Sequence, residues 1–402
     1  MTHQADLACS AGEAPPEAVE ESERRNLRVL HVNSGNMYGG VETILVTLAR
    51  LRGRCPAMEP HFAVCLEGRL SQELEAAGAV VHVLGKVRIS RPWTVHGARR
   101  NLRALLGREC FDLVVCHMPW SLAVFGPVVH AAGPKLVFWA HAFHTGGNWL
   151  ERLARRARPD FAIANSRFSE AGLKNVFPGA PHDMLYAPLE LTPRRNAPAD
   201  RQKLRAQYGA KPDTVVIAQV SRIEACKGHR VHLEALEKLK ELATPWVCWM
   251  VGGAQRPEEQ KLLAELQSLA HAQGLDQRVF FLGQRQDVAE LLGAADIFCQ
   301  PNETPDSFGF TFVEALWAGR AVLTSALGGA LEIVDESCGL LVEPANAGAL
   351  AEGLRQLIED PELRARLGNA GPARALALCE PGRQMGALYR LMRSAINGER
   401  RS

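Results

Sequence analysis

Two basic residues stand five positions apart, directly after an apolar run. Arg222 and Lys227 follow residues 213–220 and come just before Gly228. Because the run has the composition of a buried strand, we expect the pair in the loop at its carboxyl end. A guanidinium binds two oxygens at once and an ammonium adds a point charge, so the pair suits a diphosphate. The alternative is two solvated basic residues in a turn.

Three acids lie near the start of a predicted helix in residues 301–322: Glu303, Asp306 and Glu314. Glu314 has apolar sequence neighbours, among which an unpaired carboxylate costs on the order of several kcal/mol. A helix beginning near Phe308 places Asp306 around its N-cap and Glu314 in the second turn, about 12 Å away at about 1.5 Å per residue. That separation suits an elongated ligand with hydroxyls at both ends. Asp306 as a plain N-cap is the alternative, and Glu303 has no assigned role.

Glycines and histidines follow other predicted strands. Gly39 and Gly40 precede a helix predicted from Val41, where the backbone can approach a bound group and the helix start favours anionic oxygen. A plain tight turn is the alternative there. His141 follows an apolar run and could donate to a substrate oxygen, although a core or rim histidine is the common alternative. His117 is similarly placed and is interpreted as a core histidine.

The elements that must position these residues come from an alternation of apolar runs and helical patterns that occurs twice. Runs without polar alternation predict parallel strands covered on both faces. The proline-rich segment 185–200 is interpreted as a linker. We therefore predict an α/β protein with two doubly wound Rossmann-like domains, residues 27–190 and 191–378, facing each other across a cleft. Residues 379–402 are predicted to form a helix that returns to the first domain. Ligands bind outside the carboxyl ends of such strands.

Composition limits the classes of protein. The chain has 402 residues, 47% hydrophobic and 22% charged, and a net charge of +2, which is typical of a globular protein with two domains and favours no particular partner. Its ten cysteines show neither a C-x-x-C pair nor zinc spacing, and it has no Asp-x-Asp pattern, so we expect no metal and a reducing, cytoplasmic location. Residues 1–26 are predicted to be a disordered tail, and residues 113–134 a buried strand and helix rather than a membrane span.

One stretch is strongly basic. Residues 86–108 contain seven Lys/Arg and no acid, and residues 151–160 add more basic side chains. Such runs are usually solvated helix faces. The alternative is a peripheral contact with anionic lipid or a lipid-linked acceptor at the inner membrane face.

From Leu27 to about Ile396 the sequence resembles family 4 of the glycosyltransferases, retaining sugar transferases with the GT-B fold. The most specific element is "DSFGFTFVE" (306–314), in which seven residues separate an acid from a glutamate. Other matching elements occur in the family's order: "GGVE" (39–42), "SRIEACKG" (221–228), "VGG" (251–253), "FLGQRQDV" (281–288) and "GLLVEP" (339–344).

The resemblance implies roles for the residues singled out above. Glu314 corresponds to the residue that binds the donor ribose hydroxyls, and Asp306 to one that contacts the transferred sugar. Arg222 and Lys227 correspond to residues that hold the diphosphate. Most relatives have Glu at the first acid, so the shorter Asp306 leaves donor choice open.

Further positions carry over with lower specificity. The amides around the helix start would assist at the diphosphate, two glycines would approach the donor from the opposite domain, a histidine would lie near the sugar, and one backbone segment would frame the base. These positions are, in the same order, Phe308, Gly309 and Phe310; Gly39 and Gly40; His141; and the backbone around Arg285 and Gln286. The family's usual Asn-Gly near the end of the first domain is replaced by "APLE" (187–190).

The implied activity is transfer of a sugar from a UDP- or GDP-linked donor to the hydroxyl of a glycan, a lipid-linked molecule or a small molecule, with retention of configuration. The nucleotide-sugar is a substrate, and neither a cofactor, a metal nor a nucleic-acid partner is expected. No carboxylate is placed as a covalent nucleophile, so catalysis would depend on positioning and on Arg222 and Lys227. Two alternatives are a non-catalytic nucleotide-sugar-binding partner subunit of this fold and a sugar-nucleotide epimerase.

Overall fold

The structure is a computed structural model that describes residues 25–35, 38–190 and 198–398. The predicted tail up to residue 24 and part of the predicted linker, 191–197, lie outside the described residues. Two parallel β-sheets organise the chain, each covered by helices on both faces. This is the α/β architecture of two Rossmann-like domains that the alternating runs predict.

The first sheet has seven parallel strands in the order β3-β2-β1-β4-β5-β6-β7. Their bounds are β1 Leu27–Asn33, β2 Met58–Val64, β3 Val80–Val83, β4 Leu113–Cys116, β5 Lys135–Ala140, β6 Phe161–Ala164 and β7 His182–Met184. The sequence predicts the first six. It misses β7 because this three-residue edge strand is only half-buried and has no apolar run.

The second sheet has six parallel strands in the order β10-β9-β8-β11-β12-β13. Their bounds are β8 Val215–Val220, β9 Trp246–Val251, β10 Val279–Gly283, β11 Ile297–Gln300, β12 Ala321–Ser325 and β13 Gly339–Val342. All six were expected. In each sheet the strand order reverses beside the first strand, at β1/β4 and at β8/β11, and such a reversal opens a ligand crevice at the carboxyl ends.

Fifteen α-helices of the described residues connect and cover these strands. Those of the first half are α1 Gly40–Leu51, α2 Arg69–Ala76, α3 Pro92–Arg108, α4 Pro119–Ala132, α5 Trp149–Arg155 and α6 Arg167–Val176. Those of the second half are α7 Pro198–Gln207, α8 His229–Glu237, α9 Pro257–Ala272, α10 Val288–Ala294, α11 Phe310–Trp317, α12 Ala330–Ile333, α13 Ala347–Glu359, α14 Pro361–Cys379 and α15 Pro381–Asn397. Within the described ranges, none of these helices combines the length and the apolar composition that a membrane span requires.

The last helix, α15, packs on the first sheet. Its Met385, Leu388 and Met392 are fully buried in the same core as Val29 and Trp139. The chain therefore returns to the N-terminal half after completing the second sheet.

The two halves are joined by a hydrogen-bonded contact at the start of α6. The Glu332 carboxylate of α12 accepts from the backbone N–H groups of Arg167, at 3.0 Å, and Phe168, at 2.9 Å, and from the hydroxyl of Tyr186, at 2.8 Å. A carboxylate at a helix N-terminus satisfies otherwise unpaired amides and complements the helix dipole. Glu332 thus ties the start of α6 in the first half to α12 in the second.

Candidate active site

The loop 221–228 after β8 is held by two close backbone approaches. Gly252 has a φ of +153°, and a Cβ there would lie 1.7 Å from the Ser221 carbonyl oxygen. Gly228 has a φ of +69°, and its Cβ would lie 1.8 Å from the carbonyl oxygen of Pro301. Only glycine fits such contacts and conformations. The loop is therefore pressed against the segment that follows β11.

This packing brings Lys227 and Asp306 together. The Lys227 Nζ lies 2.5 Å from Asp306 Oδ2, and the two side chains are 17% and 27% exposed. Asn302 Nδ2 lies 3.4 Å from the same oxygen, and Gln219 donates to the Lys227 carbonyl at 2.9 Å. Two residues that the sequence singled out in separate segments thus form one partly open ion pair between a cation and an acid.

Arg222 lies in the same loop and faces the first domain. Its guanidinium contacts Glu224 at 2.7 Å and Glu259 at 3.6 Å, while Nη1 is buried without a hydrogen-bond partner among the described residues. Burial raises the pKa of Glu42, and the nearby Arg222 charge counteracts this in part. The Glu42 carboxylate accepts from the Gly39 N–H at 2.9 Å. Arg222 is therefore close enough to the glycine pair of the opposite domain for its charge to act on Glu42, while Glu224 and Glu259 already pair with its guanidinium.

The glycine pair faces α11 across the cleft. A Cβ at Gly40, the first residue of α1, would lie 3.5 Å from the Phe310 ring. Beside it, Gln255 Nε2 donates to the Tyr38 carbonyl oxygen at 3.2 Å. Gly40 and Phe310, which the sequence predicts on opposite walls of a cleft, are thus adjacent.

Glu314 lies in the second turn of α11, as the sequence predicted. No hydrogen bond or ion pair involves its carboxylate within the described part of the chain, and its neighbours Phe312, Val313 and Leu316 are fully buried. Although the residue retains partial exposure, desolvation of the carboxylate raises its pKa to about 7. An unpaired acid in such surroundings is costly unless a ligand donates to it.

The start of α11 differs from the sequence expectation. The helix begins at Phe310 with Gly309 as its N-cap, at a φ of +97°, whereas the sequence placed its start near Phe308 and Asp306 around the N-cap. That N-cap assignment is wrong because Asp306 is paired with a lysine and Phe308 is buried against Tyr186, with ring centroids 5.1 Å apart. With glycine as the cap, no side chain covers the first amides of the helix.

A second glycine pair holds the loop before α11. A Cβ at Gly328 would lie 2.5 Å from the Asp306 carbonyl oxygen, and one at Gly329 would lie 2.5 Å from that of Ser307. The Gly329 N–H also donates to the Asp306 carbonyl at 2.9 Å. These contacts fix Asp306 relative to α11.

His141 is the outermost member of three linked histidines. His31 Nδ1 and His117 Nε2 are 2.9 Å apart, and His117 Nδ1 and His141 Nε2 are also 2.9 Å apart. Burial lowers the pKa of His31 and His141 to about 3 and that of His117 well below its ordinary value, so all three are neutral. His117 is in the core, as interpreted from the sequence, but it also contacts the candidate site histidine directly.

The Arg285 side chain is held by its own neighbours. It forms a two-pronged contact with Asp287 at 2.8 and 2.7 Å and donates to the Tyr208 hydroxyl at 3.0 Å. This pairing lowers the pKa of Asp287. The guanidinium is therefore engaged within the protein, and the backbone of this segment is the part left to meet a ligand.

Sequence reasoning missed several residues that support the site. Glu42, Asn302 and Glu332 hold the glycine pair, Asp306 and the domain contact, respectively. Glu42 stands at the third position of α1, where an acid commonly accepts from the N-cap amide, and this signal could have been used. Asn302 contacts Asp306 only four residues further on, but in an irregular loop with no motif to indicate it, and Glu332 acts through contacts distant in sequence.

Within the described ranges, one cluster has the ligand types of a metal site. His61, His82 and Glu109 offer ligand atoms within 4.8 Å of one another, on strands β2 and β3 and after α3. The sequence analysis, which predicts no metal, did not identify this cluster. The Arg28 guanidinium lies 2.9 Å from Glu109 and 3.3 Å from His61 Nε2, so a cation already occupies this position. We assign no metal there.

Sequence comparison gives a family match in the second half and relatives along both halves. Residues 200–374 match a family described as "Glycosyl transferases group 1". A GDP-mannose-dependent monoacylated alpha-(1-6)-phosphatidylinositol monomannoside mannosyltransferase of Corynebacterium glutamicum is 29% identical over 62% of this chain and 67% of its own length. A D-inositol 3-phosphate glycosyltransferase of Actinosynnema mirum is 30% identical over 60% of each chain. The chain thus spans about three fifths to two thirds of these relatives.

Structural comparison covers nearly the whole chain. HepE of Anabaena, solved with UDP and glucose, superposes with a TM-score of 0.79 at 23% identity, covering 91% of this chain and 100% of HepE. The two facing Rossmann-like domains match the GT-B glycosyltransferase architecture. The named relatives are glycosyltransferases, and these similarities support a transferase enzyme.

Proposed function

We propose that the protein is a retaining, family 4 glycosyltransferase that moves a sugar from a UDP- or GDP-linked donor to an acceptor hydroxyl. The observation that carries this proposal is the grouping of Lys227, Asp306 and Glu314 around the uncapped start of α11, at the strand-order reversal of the second sheet. A cation, helix amides and two acids in one crevice suit a diphosphate with hydroxyl-bearing groups at both ends.

In this proposal each side chain has one task. Glu314 accepts from the ribose hydroxyls, which compensates for the desolvation of its carboxylate. Lys227 and Arg222 stabilise the departing diphosphate, and the α11 amides assist them. Asp306 accepts from a sugar hydroxyl, and His141 lies on the other wall of the cleft. Because preformed positive charge stabilises the leaving group, the proposal requires no metal or cofactor.

The stereochemical part of the proposal rests on the resemblance to retaining transferases and on the lack of a carboxylate assigned as nucleophile among the described site residues. Asp306 contacts Lys227, and Glu314, in the second turn of α11, is assigned to the ribose, so neither carboxylate has the role of a covalent nucleophile. A front-face mechanism, in which the leaving phosphate helps to deprotonate the acceptor, fits this arrangement.

The acceptor side of the proposal includes a peripheral contact with anionic lipid. Helix α3 and the segment before it expose a set of basic side chains: Lys86, Arg88, Arg91, Arg100, Arg103 and Arg108. Trp93, at the start of α3, is 69% exposed. An aromatic ring beside clustered basic residues is typical of a membrane interface. Cosedimentation with anionic but not with neutral vesicles at low salt is expected, and no cosedimentation would remove this part of the proposal.

Donor binding can be tested by measuring the melting temperature of the protein with a panel of nucleotides and nucleotide-sugars. A ligand that binds the folded state raises the melting temperature with its concentration. We expect one of the UDP or GDP series to do so, with the diphosphate binding more strongly than the nucleoside. The non-catalytic alternative predicts binding without slow donor hydrolysis, and an epimerase would convert the donor without releasing nucleoside diphosphate.

A further inference from the structure

Three histidines cross three neighbouring strands at the carboxyl edge of the first sheet. His31 lies in β1, His117 follows β4 and His141 follows β5, and these strands are adjacent in the sheet. Their rings are spaced 5.1 and 5.2 Å apart, and Trp139 packs against the last two at 5.4 and 5.5 Å. We call these three residues the histidine row.

Proton counting restricts the states of the histidine row. A neutral imidazole has one N–H donor and one bare acceptor nitrogen. Since His117 contacts a neighbour through each nitrogen at 2.9 Å, it donates to one and accepts from the other. The two links must therefore run in the same direction, and the third N–H remains at one end of the row.

The two end nitrogens differ in surroundings. His31 Nε2 and His141 Nδ1 are both buried without a hydrogen-bond partner among the described residues. His31 is 1% exposed, whereas His141 remains partly exposed at the cleft edge. An N–H at His31 Nε2 would stay unsatisfied in the core, whereas a small rotation of the His141 ring, which lies at the cleft edge, would bring an Nδ1–H to water or to a ligand oxygen. Because an unmet buried donor is costly, the row favours the proton at His141 Nδ1.

We propose that His117, supported by His31, is a positioning residue that fixes the tautomer and ring orientation of His141. The His31 Nδ1–H donates to His117 Nε2, the His117 Nδ1–H donates to His141 Nε2, and the His141 Nδ1–H is thereby available to a hydroxyl oxygen of the transferred sugar. The partner of one ring nitrogen sets which nitrogen carries the proton. The sugar as ligand rests on the proposed function, whereas the tautomer does not.

Histidine ¹⁵N NMR tests the tautomer without any substrate, because the imidazole nitrogen shifts distinguish N–H from bare nitrogen. We expect the His141 proton on Nδ1 in the wild type. His117→Phe keeps a ring but offers neither donor nor acceptor, so the Nδ1–H signature should be lost. His117→Gln can accept and donate at once, so it should retain the signature. His82→Phe is the matched control, because His82 also stacks on a histidine, at 5.6 Å, but on β3.

The same variants are then compared in sugar transfer. Loss of one neutral hydrogen bond predicts a fall of about tenfold in kcat for His117→Phe, with donor KM nearly unchanged. His117→Gln should recover most of the rate, and His82→Phe should match the wild type. A merely structural role for His117 would instead affect folding without this recovery.

The outcomes separate this proposal from the proposed function. A wild-type His141 protonated on Nε2, or an Nδ1–H signature that survives in His117→Phe, would overturn the positioning role even in an active transferase. The wild-type spectrum decides the tautomer even where a variant fails to fold. If the His141 Nδ1–H signature were found and depended on His117, but the protein transferred no sugar, the positioning role of His117 would be supported and the proposed function would be refuted.

Discussion

Glu314 is the residue whose state depends most on a ligand. Its folded-state pKa of about 7 lies above the ordinary 4.5, so the folded protein retains a proton that the unfolded chain releases between these values. In the free protein, stability contributed by this group therefore falls as pH rises through that window. Ribose hydroxyls would favour the ionised form, so binding should release the proton.

We predict that nucleotide affinity increases from pH 6 to pH 8 in the wild type, by at most about tenfold per pH unit below the free pKa. Glu314→Gln should bind weakly and lose this pH dependence. Glu303→Gln, at an exposed position in the same segment, is the control and should behave as wild type. Isothermal titration calorimetry at several pH values measures the nucleotide affinity of each variant. If the affinity of Glu314→Gln depended on pH as that of the wild type does, the ribose assignment would be refuted.

Lys227 is the residue on which catalysis should depend most. Removing one preorganised charge that faces the leaving group costs about 100-fold or more in kcat. We predict this loss for Lys227→Ala, measured as nucleoside diphosphate release, with little change for Lys211→Ala, which alters an exposed lysine of the same domain. Turnover of Lys227→Ala within a few-fold of wild type would show that the leaving-group role is wrong.

At the scale of elements, the site depends on a few glycines that let two loops touch. Gly228→Ala would force a side chain into a φ of +69° with its Cβ 1.8 Å from the Pro301 carbonyl oxygen. We predict a loss of about 2 kcal/mol or more in the free energy of unfolding. Gly97→Ala in α3 meets nothing within 4 Å, so it should be neutral or slightly stabilising. If urea unfolding showed the same change in the free energy of unfolding for Gly228→Ala and Gly97→Ala, the proposed role of Gly228 would be wrong.

The sequence predicts elements well where apolar runs are continuous. Twelve of the thirteen described strands come from such runs, and the exception, β7, is a half-buried edge strand. The sequence predicts that α11 starts near Phe308, two residues early, because Asp306 has the type of an N-cap while its partner Lys227 is distant in sequence. Single acids and cations could be named from the chain, but not their mutual pairing.

The histidine row shows the same limit at the candidate site. The sequence predicts a core position for His117, which the structure confirms, yet its link to His31 and His141 depends on strand order, which local patterns do not specify. Residues that act through neighbouring strands become visible only once the sheet is assembled.

At the scale of the whole molecule, Glu332 links the two halves. Glu332→Ala would free the amides of Arg167 and Phe168, so we predict faster hydrogen exchange there than in the wild type. Glu336→Ala, at an exposed position of the same segment, is the control and should leave exchange unchanged. Unchanged protection at both amides in Glu332→Ala would show that this contact does not hold the domains together.

The central claim is that the cleft transfers sugar from a nucleotide donor. The most direct test is to incubate the protein with an acceptor and the donor selected by thermal shift. Free nucleoside diphosphate, glycosylated acceptor and the anomeric configuration of the product are then quantified. We predict diphosphate release matched by transferred sugar with retained configuration, and loss of both in Lys227→Ala. Two results would contradict the proposed transfer. In the first, the donor binds but is neither hydrolysed nor transferred to any glycan, lipid-linked or small-molecule acceptor. In the second, the donor is converted to another sugar nucleotide without release of diphosphate.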